Sequence, residues 1–118
     1  MRYTLLAAAA MTLLFVAPAF AEDRDFDLVN ATGYPIKSVL IDEAASDVWT
    51  DNELSGVMDD GATVHMHFGQ GDKGCKWDMK VIFTDDSNAE WHGFDLCSIN
   101  TITLHYNRNS DVTSAEIQ

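Results

Sequence analysis

Hydrophobic and polar residues alternate through most of the chain from Asp25 onward. Asp25–Val29 sets Phe26 and Leu28 on one face and two acids on the other, the period of two that a half-buried strand requires. Asn30-Ala31-Thr32-Gly33 is turn chemistry; Gly33 supplies a positive φ and Pro35 sets the entry to the next strand. Ile36–Ile41 is rich in β-branched residues and predicts a second strand. Thr63–Phe68 predicts a third, with Val64, Met66 and Phe68 inward. Cys75–Phe83 places Cys75, Trp77, Met79, Val81 and Phe83 on one face and Lys76, Asp78 and Lys80 on the other. Thr84–Asn88 closes a hairpin, with Asn88 suited to the left-handed conformation, and Glu90–Leu96 returns. Ile99–Tyr106 alternates with Ile102, Leu104 and Tyr106 inward and Thr101, Thr103 and His105 outward.

No segment sustains a period of 3.6 residues. Asp42–Ala62 is the longest stretch without strand patterning; Ser46–Leu54 within it suits one short helical turn, with Trp49 and Leu54 plugging the end of the core. Asn107–Gln118 reads as a frayed tail or an edge strand. Short strands at regular spacing, with turn signals between them, predict an all-β fold: an antiparallel β-sandwich of six to seven strands with one long loop or short helical turn. An up-and-down barrel is the alternative arrangement.

Composition changes this picture at the N-terminus. Arg2, the apolar run Leu5–Val16 broken only by Thr12, Pro18, and small residues in Ala19-Phe20-Ala21 have the order of a cleaved signal peptide over residues 1–21. The apolar run is short for a bilayer span of about 20 residues. Removing it leaves one domain, residues 22–118, whose 19 acids face six Lys and Arg for a net charge of −13. Such a charge repels nucleic acid and anionic lipid, so neither is expected as a partner, nor is membrane insertion after cleavage. The expected location is periplasmic or secreted.

Cys75 and Cys97 make an even pair in an exported chain, where an oxidising compartment favours a disulfide. A hairpin symmetric about Asp86 brings them opposite or nearly so. With two cysteines and no Cys-x-x-Cys, a thiolate metal site is the weaker reading.

The run Phe26-x-Leu28-x-Asn30-x-Thr32-Gly33, then Trp49-x-Asp51-x-x-Leu54, Cys75-x-Trp77-Asp78-Met79 and Gly93-x-Asp95-Leu96-Cys97 resembles a family of small exported bacterial β-rich proteins. The shared signature is a Cys-x-x-Asp…Asp-Leu-Cys cysteine pair. The resemblance implies export and a compact β-rich fold; the family has no established activity, so it implies nothing about mechanism.

His65-Met66-His67 carries the sharpest chemistry. Residues two apart on a strand share a face, so both imidazoles project together, and two imidazoles chelate Cu²⁺, Zn²⁺ or Ni²⁺. His92 and His105 are candidates for a third ligand, and an Asp or Glu is a candidate to complete the set. The outward face of an amphipathic strand explains the same residues without a metal. Asp59-Asp60-Gly61 and Asp85-Asp86-Ser87-Asn88 concentrate oxygens as Ca²⁺ requires, but they lack the spacing of an EF-hand loop and suit turns for local reasons. Gly69-Gln70-Gly71-Asp72-Lys73-Gly74 fits G-x-G-x-x-G, yet a strand follows it where a phosphate-binding helix is needed. Trp49, Trp77 and Trp91 are candidates to line a carbohydrate or peptide groove, Trp91 being the one expected at the surface; Phe94 and Leu96 claim the opposite face of its strand, so either both faces are covered or Gly93 marks a bulge.

No nucleophile or acid–base pair stands in a recognisable context. The expected function is therefore a small non-enzymatic binding or accessory protein that meets an unknown protein or cationic ligand through its acidic surface. A divalent-metal-binding protein using His65 and His67, with Cu or Zn, is the alternative, and a small hydrolase or isomerase the third.

Overall fold

Seven strands form two sheets in the computed structural model, which describes residues 24–68 and 74–118. The expected signal peptide, residues 1–21, lies outside the described residues, as do Gly69–Lys73 of the glycine-rich stretch. Strands β1 (Phe26–Asn30), β3 (Thr63–Met66), β6 (Thr101–Asn107) and β7 (Val112–Ile117) form one sheet in the order β3-β1-β6-β7. Strands β2 (Ile36–Glu43), β4 (Lys76–Phe83) and β5 (Asn88–Asp95) form the other, in the order β2-β4-β5. The fold is an all-β sandwich.

The inward residues of both sheets meet in one core. Leu28, Val39, Val81, Ile102 and Leu104 have no exposed surface, and Phe26, Met79 and Phe83 have almost none. The alternation along each strand accounts for this, because every second side chain of a strand points to the same face.

One pairing departs from the expected antiparallel pattern: β1 runs parallel to β6, with Leu28 facing Ile102 and Asn30 facing Leu104. A parallel pair needs a long crossover, and here most of the chain lies between its two strands. The Asp42–Ala62 region forms no helix. It runs back along β2 instead, touching it through isolated bridges at Leu40–Asn52 and Ile36–Met58. The bond from the Val39 N–H to Asn52 Oδ1 (2.9 Å) holds the extended path. Leu54 packs against the core, but Trp49 does not plug it; Trp49 is half-buried, with Lys80 Nζ 6.0 Å from its ring centre. Met58 takes the plugging role and is 2% exposed. The C-terminal segment is an ordered edge strand, β7, paired with β6 from Ile102–Ile117 to Asn107–Val112.

At the β4–β5 turn the left-handed residue is Asp86 (φ 71°), not Asn88, which already belongs to β5. The same hairpin carries a bulge. Met79 faces Trp91 while Trp77 faces Phe94, so His92 and Gly93 together oppose Asp78. Gly93 adopts φ +76°, a conformation that L side chains resist. The extra residue resets the alternation, so Ala89, Trp91, Phe94 and Leu96 all face the core. Trp91 is accordingly buried, contrary to the expectation from an unbroken strand. Its Nε1–H donates to the Ser114 carbonyl at 2.9 Å and joins the free edges of the two sheets.

Cys75 and Cys97 are joined by a disulfide with Cα atoms 5.2 Å apart. A bond from the Leu96 N–H to the Cys75 carbonyl (2.8 Å) continues the ladder beside it. A closed disulfide belongs to an oxidising, extracytoplasmic compartment.

Candidate functional site

Strands β1 and β3 pair antiparallel with Asp27 facing His65 and Phe26 facing Met66. Phe26 and Met66 point into the core, so Asp27 and His65 meet on the outer face. His65 Nδ1 donates to Asp27 Oδ1 at 2.9 Å. Beyond the end of each strand the pattern repeats, and His67 Nδ1 donates to Asp25 Oδ2 at 2.8 Å. The two imidazoles therefore do share a face, as their spacing predicts. What the histidines alone do not reveal is that Asp25 joins them: its Oδ2 also lies 3.7 Å from His65 Nε2. The other oxygen of Asp25 accepts the Phe68 N–H at 3.0 Å, which fixes the carboxylate in place. Burial pushes the Asp25 carboxyl up, but the Phe68 and His67 bonds and the charges of both imidazoles outweigh it and hold it below its ordinary value.

This wall borders a cleft of about 410 Å³ between the β3 edge of one sheet and the β2 edge of the other. Asp42, Asp51 and Glu53 stand on the opposite side, and Phe68 and Trp77 form an aromatic contact at its base, their ring centres 5.3 Å apart. Asp42 anchors the loop by accepting the Thr50 N–H (2.9 Å) and hydroxyl (3.2 Å). Among the described residues that line the cleft, five carry ionisable carboxylates or imidazoles and none is Lys or Arg.

The other histidines lie elsewhere. His105 sits beside Glu116 on the β6–β7 pair, 3.5 Å from its carboxylate. His92 belongs to the bulge, where its Nδ1 lies 3.1 Å from Asp78 Oδ2. Asp78 is on the outward face of β4, yet it is 5% exposed because three donors close on it. Its Oδ1 accepts the Gly93 N–H at 2.8 Å, its Oδ2 accepts the Ala45 N–H at 3.0 Å, and His92 completes the set. Burial raises the Asp78 carboxyl, and the bonds from Ala45, His92 and Gly93 more than offset that and lower it. The Asp78 bond raises the His92 imidazole, against a smaller opposing effect of burial and with help from the charges of Asp78, Glu90 and Asp47.

The acidic turns spend their oxygens locally. Asp60 Oδ1 accepts the Gly33 N–H at 2.8 Å. Asp85 accepts the Ser87 N–H at 3.1 Å and the Arg108 guanidinium at 2.9 Å, while Asp86 pairs with Lys37. Asn30 is a fully buried hub: its amide donates to the Tyr34 and Met58 carbonyls, and its Oδ1 accepts the Thr32 N–H and hydroxyl. The Asn30-x-Thr32-Gly33 signature is thus a device that closes one end of the sandwich.

Sequence reasoning did not join Asp25, Asp27, Asp42, Asp51 or Glu53 to the histidines. A signal was present for two of them. Asp25-x-Asp27 has the same spacing as His65-x-His67, and both lie on outward strand faces.

These features define a disulfide-clamped β-sandwich with a cleft of carboxylates and imidazoles at one edge. No family model matches the chain, and no curated protein matches it. Among solved structures it is similar to one described as the NMR structure of the protein from Eubacterium rectale. The two are 12% identical over 79% of this chain and 85% of that one, with a TM-score of 0.54. This likeness concerns the fold alone.

Proposed function

We propose that this chain is a small exported, non-enzymatic binding module whose edge cleft receives a cationic ligand. The observation that carries this reading is the set of lining groups: Asp42, Asp51 and Glu53 on one side, His65 and His67 on the other. The three carboxylates set a negative field in the cleft, and such a field concentrates ligands of the opposite sign. The excess of 19 acids over seven Lys and Arg extends the same field over the surface and disfavours nucleic acid and anionic membranes as partners. Export is supported by the signal-peptide pattern of residues 1–21 together with the disulfide. In a Gram-negative host the destination is the periplasm. The motif resemblance to small exported bacterial β-rich proteins points the same way.

The test uses protein expressed from the full-length gene and purified with its disulfide intact, titrated calorimetrically with a pentalysine peptide. Binding is expected at about 20 mM salt and at least about tenfold weaker at about 500 mM, where screening is nearly complete. The Asp51→Asn/Glu53→Gln variant is expected to weaken it as well. Absence of binding at low salt, or equal binding by that variant, refutes the reading.

A further inference from the structure

We propose that Asp25, His65 and His67 form a site for one divalent transition-metal ion, Zn²⁺ or Cu²⁺, on the β3 wall of this cleft. The proposal rests on the cation-binding reading and specifies the cation.

The geometry of His65 is the starting point. Its Nδ1–H is committed to Asp27 Oδ1 at 2.9 Å. In the neutral ring Nε2 is then a bare lone pair, and it lies 3.7 Å from Asp25 Oδ2, itself an acceptor. A proton on Nε2 or a metal ion between the two atoms satisfies both acceptors. Zn–N and Zn–O bonds of about 2.0–2.1 Å in a tetrahedron separate neighbouring donor atoms by about 3.3 Å, so His65 Nε2 and Asp25 Oδ2 need only a small adjustment. His67 Nδ1 already lies 2.8 Å from the same oxygen. An ion there takes the place of the Nδ1 proton, with the neutral His67 ring carrying its hydrogen on Nε2.

The surroundings match what metal-bound histidine requires. Asp27 holds the outer nitrogen of His65, the carboxylate–imidazole–metal arrangement that fixes the tautomer and the ring plane. The Phe68 N–H performs the same service for Asp25. Asp42, Asp51 and Glu53 across the cleft add negative potential. Two imidazoles and one carboxylate favour the later first-row ions, with Cu²⁺ bound most tightly.

One movement is required. Among the described residues only Cys75, Asp95 and Cys97 bring three donor atoms within 4.8 Å of one another, and those thiols are spent in the disulfide. The two imidazoles must therefore draw together over Asp25 Oδ2. Their side chains are 62% and 66% exposed.

The experiment is equilibrium titration of the disulfide-intact protein with ZnCl₂ and with CuCl₂ alone, followed by metal analysis and amide NMR. One ion per chain is expected, with shifts confined to Asp25–Asp27 and His65–Phe68. His65→Ala/His67→Ala is expected to abolish binding, and both positions are exposed enough for the fold to persist. Asp27→Ala is expected to weaken binding about 10–100-fold while leaving the stoichiometry at one. Failure of both metals to bind, or unchanged binding in the double histidine variant, overturns the proposal. If pentalysine still binds in that case, the cation-binding reading survives and only the metal assignment falls; if neither probe binds, both fall.

Discussion

The Asp78 carboxylate accepts the Gly93 amide at 2.8 Å across the β4–β5 hairpin, supplying a partner for the extra residue of the bulge. The consequence reaches the disulfide. On the turn side of the bulge Met79 faces Trp91, and beyond it Lys76 faces Asp95. The added residue brings Cys97 one position nearer to the level of Cys75. Two halves of the cysteine signature, Cys-x-x-Asp and Gly-x-Asp-Leu-Cys, thus touch directly through Asp78 and Gly93.

Asp78→Ala leaves the part-buried hydrogen bonds of the Gly93 and Ala45 amides without their acceptor. Hydrogen bonds to a charged group each contribute about 1.5–3 kcal/mol, so the variant is expected to lose at least about 2 kcal/mol in urea unfolding. A loss under about 0.5 kcal/mol, the range of ordinary surface substitutions, would show that the bulge does not depend on this carboxylate.

Gly93→Ala isolates the backbone term. A Cβ at this position meets nothing within 4 Å, so no packing clash contributes. The φ of +76° remains costly for an L residue, and a destabilisation of about 1–2 kcal/mol is expected. Equal stability of the variant would mean that the bulge relaxes freely.

The Asp78–His92 pair makes stability depend on pH at two ends. His92 is raised above its ordinary 6.5, so its contribution is complete below pH 6.5 and is lost as pH rises through the folded value. Asp78 is lowered below its ordinary 3.8, so its contribution is present above that pH and is lost as pH falls through the folded value. The His92 ring is 58% exposed, so its part is expected to stay under about 1 kcal/mol. His92→Asn should flatten the alkaline decline measured by urea unfolding between pH 6 and 9, roughly the window of an imidazole raised from its usual value. A decline of the same size in that variant would assign it to another group.

Cys75→Ser/Cys97→Ser opens a loop with a sequence separation of 22 residues. Chain entropy sets the expected loss at about 3 kcal/mol, a large share of the stability of a domain this small. Thiol titration of the unfolded, unreduced parent should find no reactive cysteine.

Trp91→Phe keeps an aromatic ring in the core, removes the bond to the Ser114 carbonyl and leaves a small cavity where the indole's second ring stood. The bond and the cavity together are expected to cost at least about 1 kcal/mol, with faster amide exchange along β7. Unchanged exchange there would show that the edges are held together by other contacts.

Much of the sandwich was legible because strand faces are written locally. Phe26, Leu28, Trp77, Met79, Ile102 and Leu104 are buried where alternation assigns them. Trp91 failed for a local reason with a long-range cause: Gly93 signals a bulge, but only its contact with Asp78 shows which side chains turn inward. In the Asp42–Ala62 region the long-loop alternative is the one that forms. Its side chains suit a helical turn, and the open edge of β2 captures the backbone instead. At the cleft, the shared face of His65 and His67 followed from their spacing, whereas Asp25 and Asp27 entered only when β1 was seen beside β3.

The sequence by itself determined most strand faces, the cysteine pair, the acidic surface and the projection of two imidazoles from one strand. Each is a matter of neighbouring residues and the period of two. The tertiary structure decided that β1 lies between β3 and β6, parallel to one and antiparallel to the other. It decided too that Asp78 is buried and that Asp25 stands between two histidines forty residues away. Periodicity tells a strand which way to face, but not which strand lies beside it; that choice follows from packing of the whole core, and it creates the candidate site.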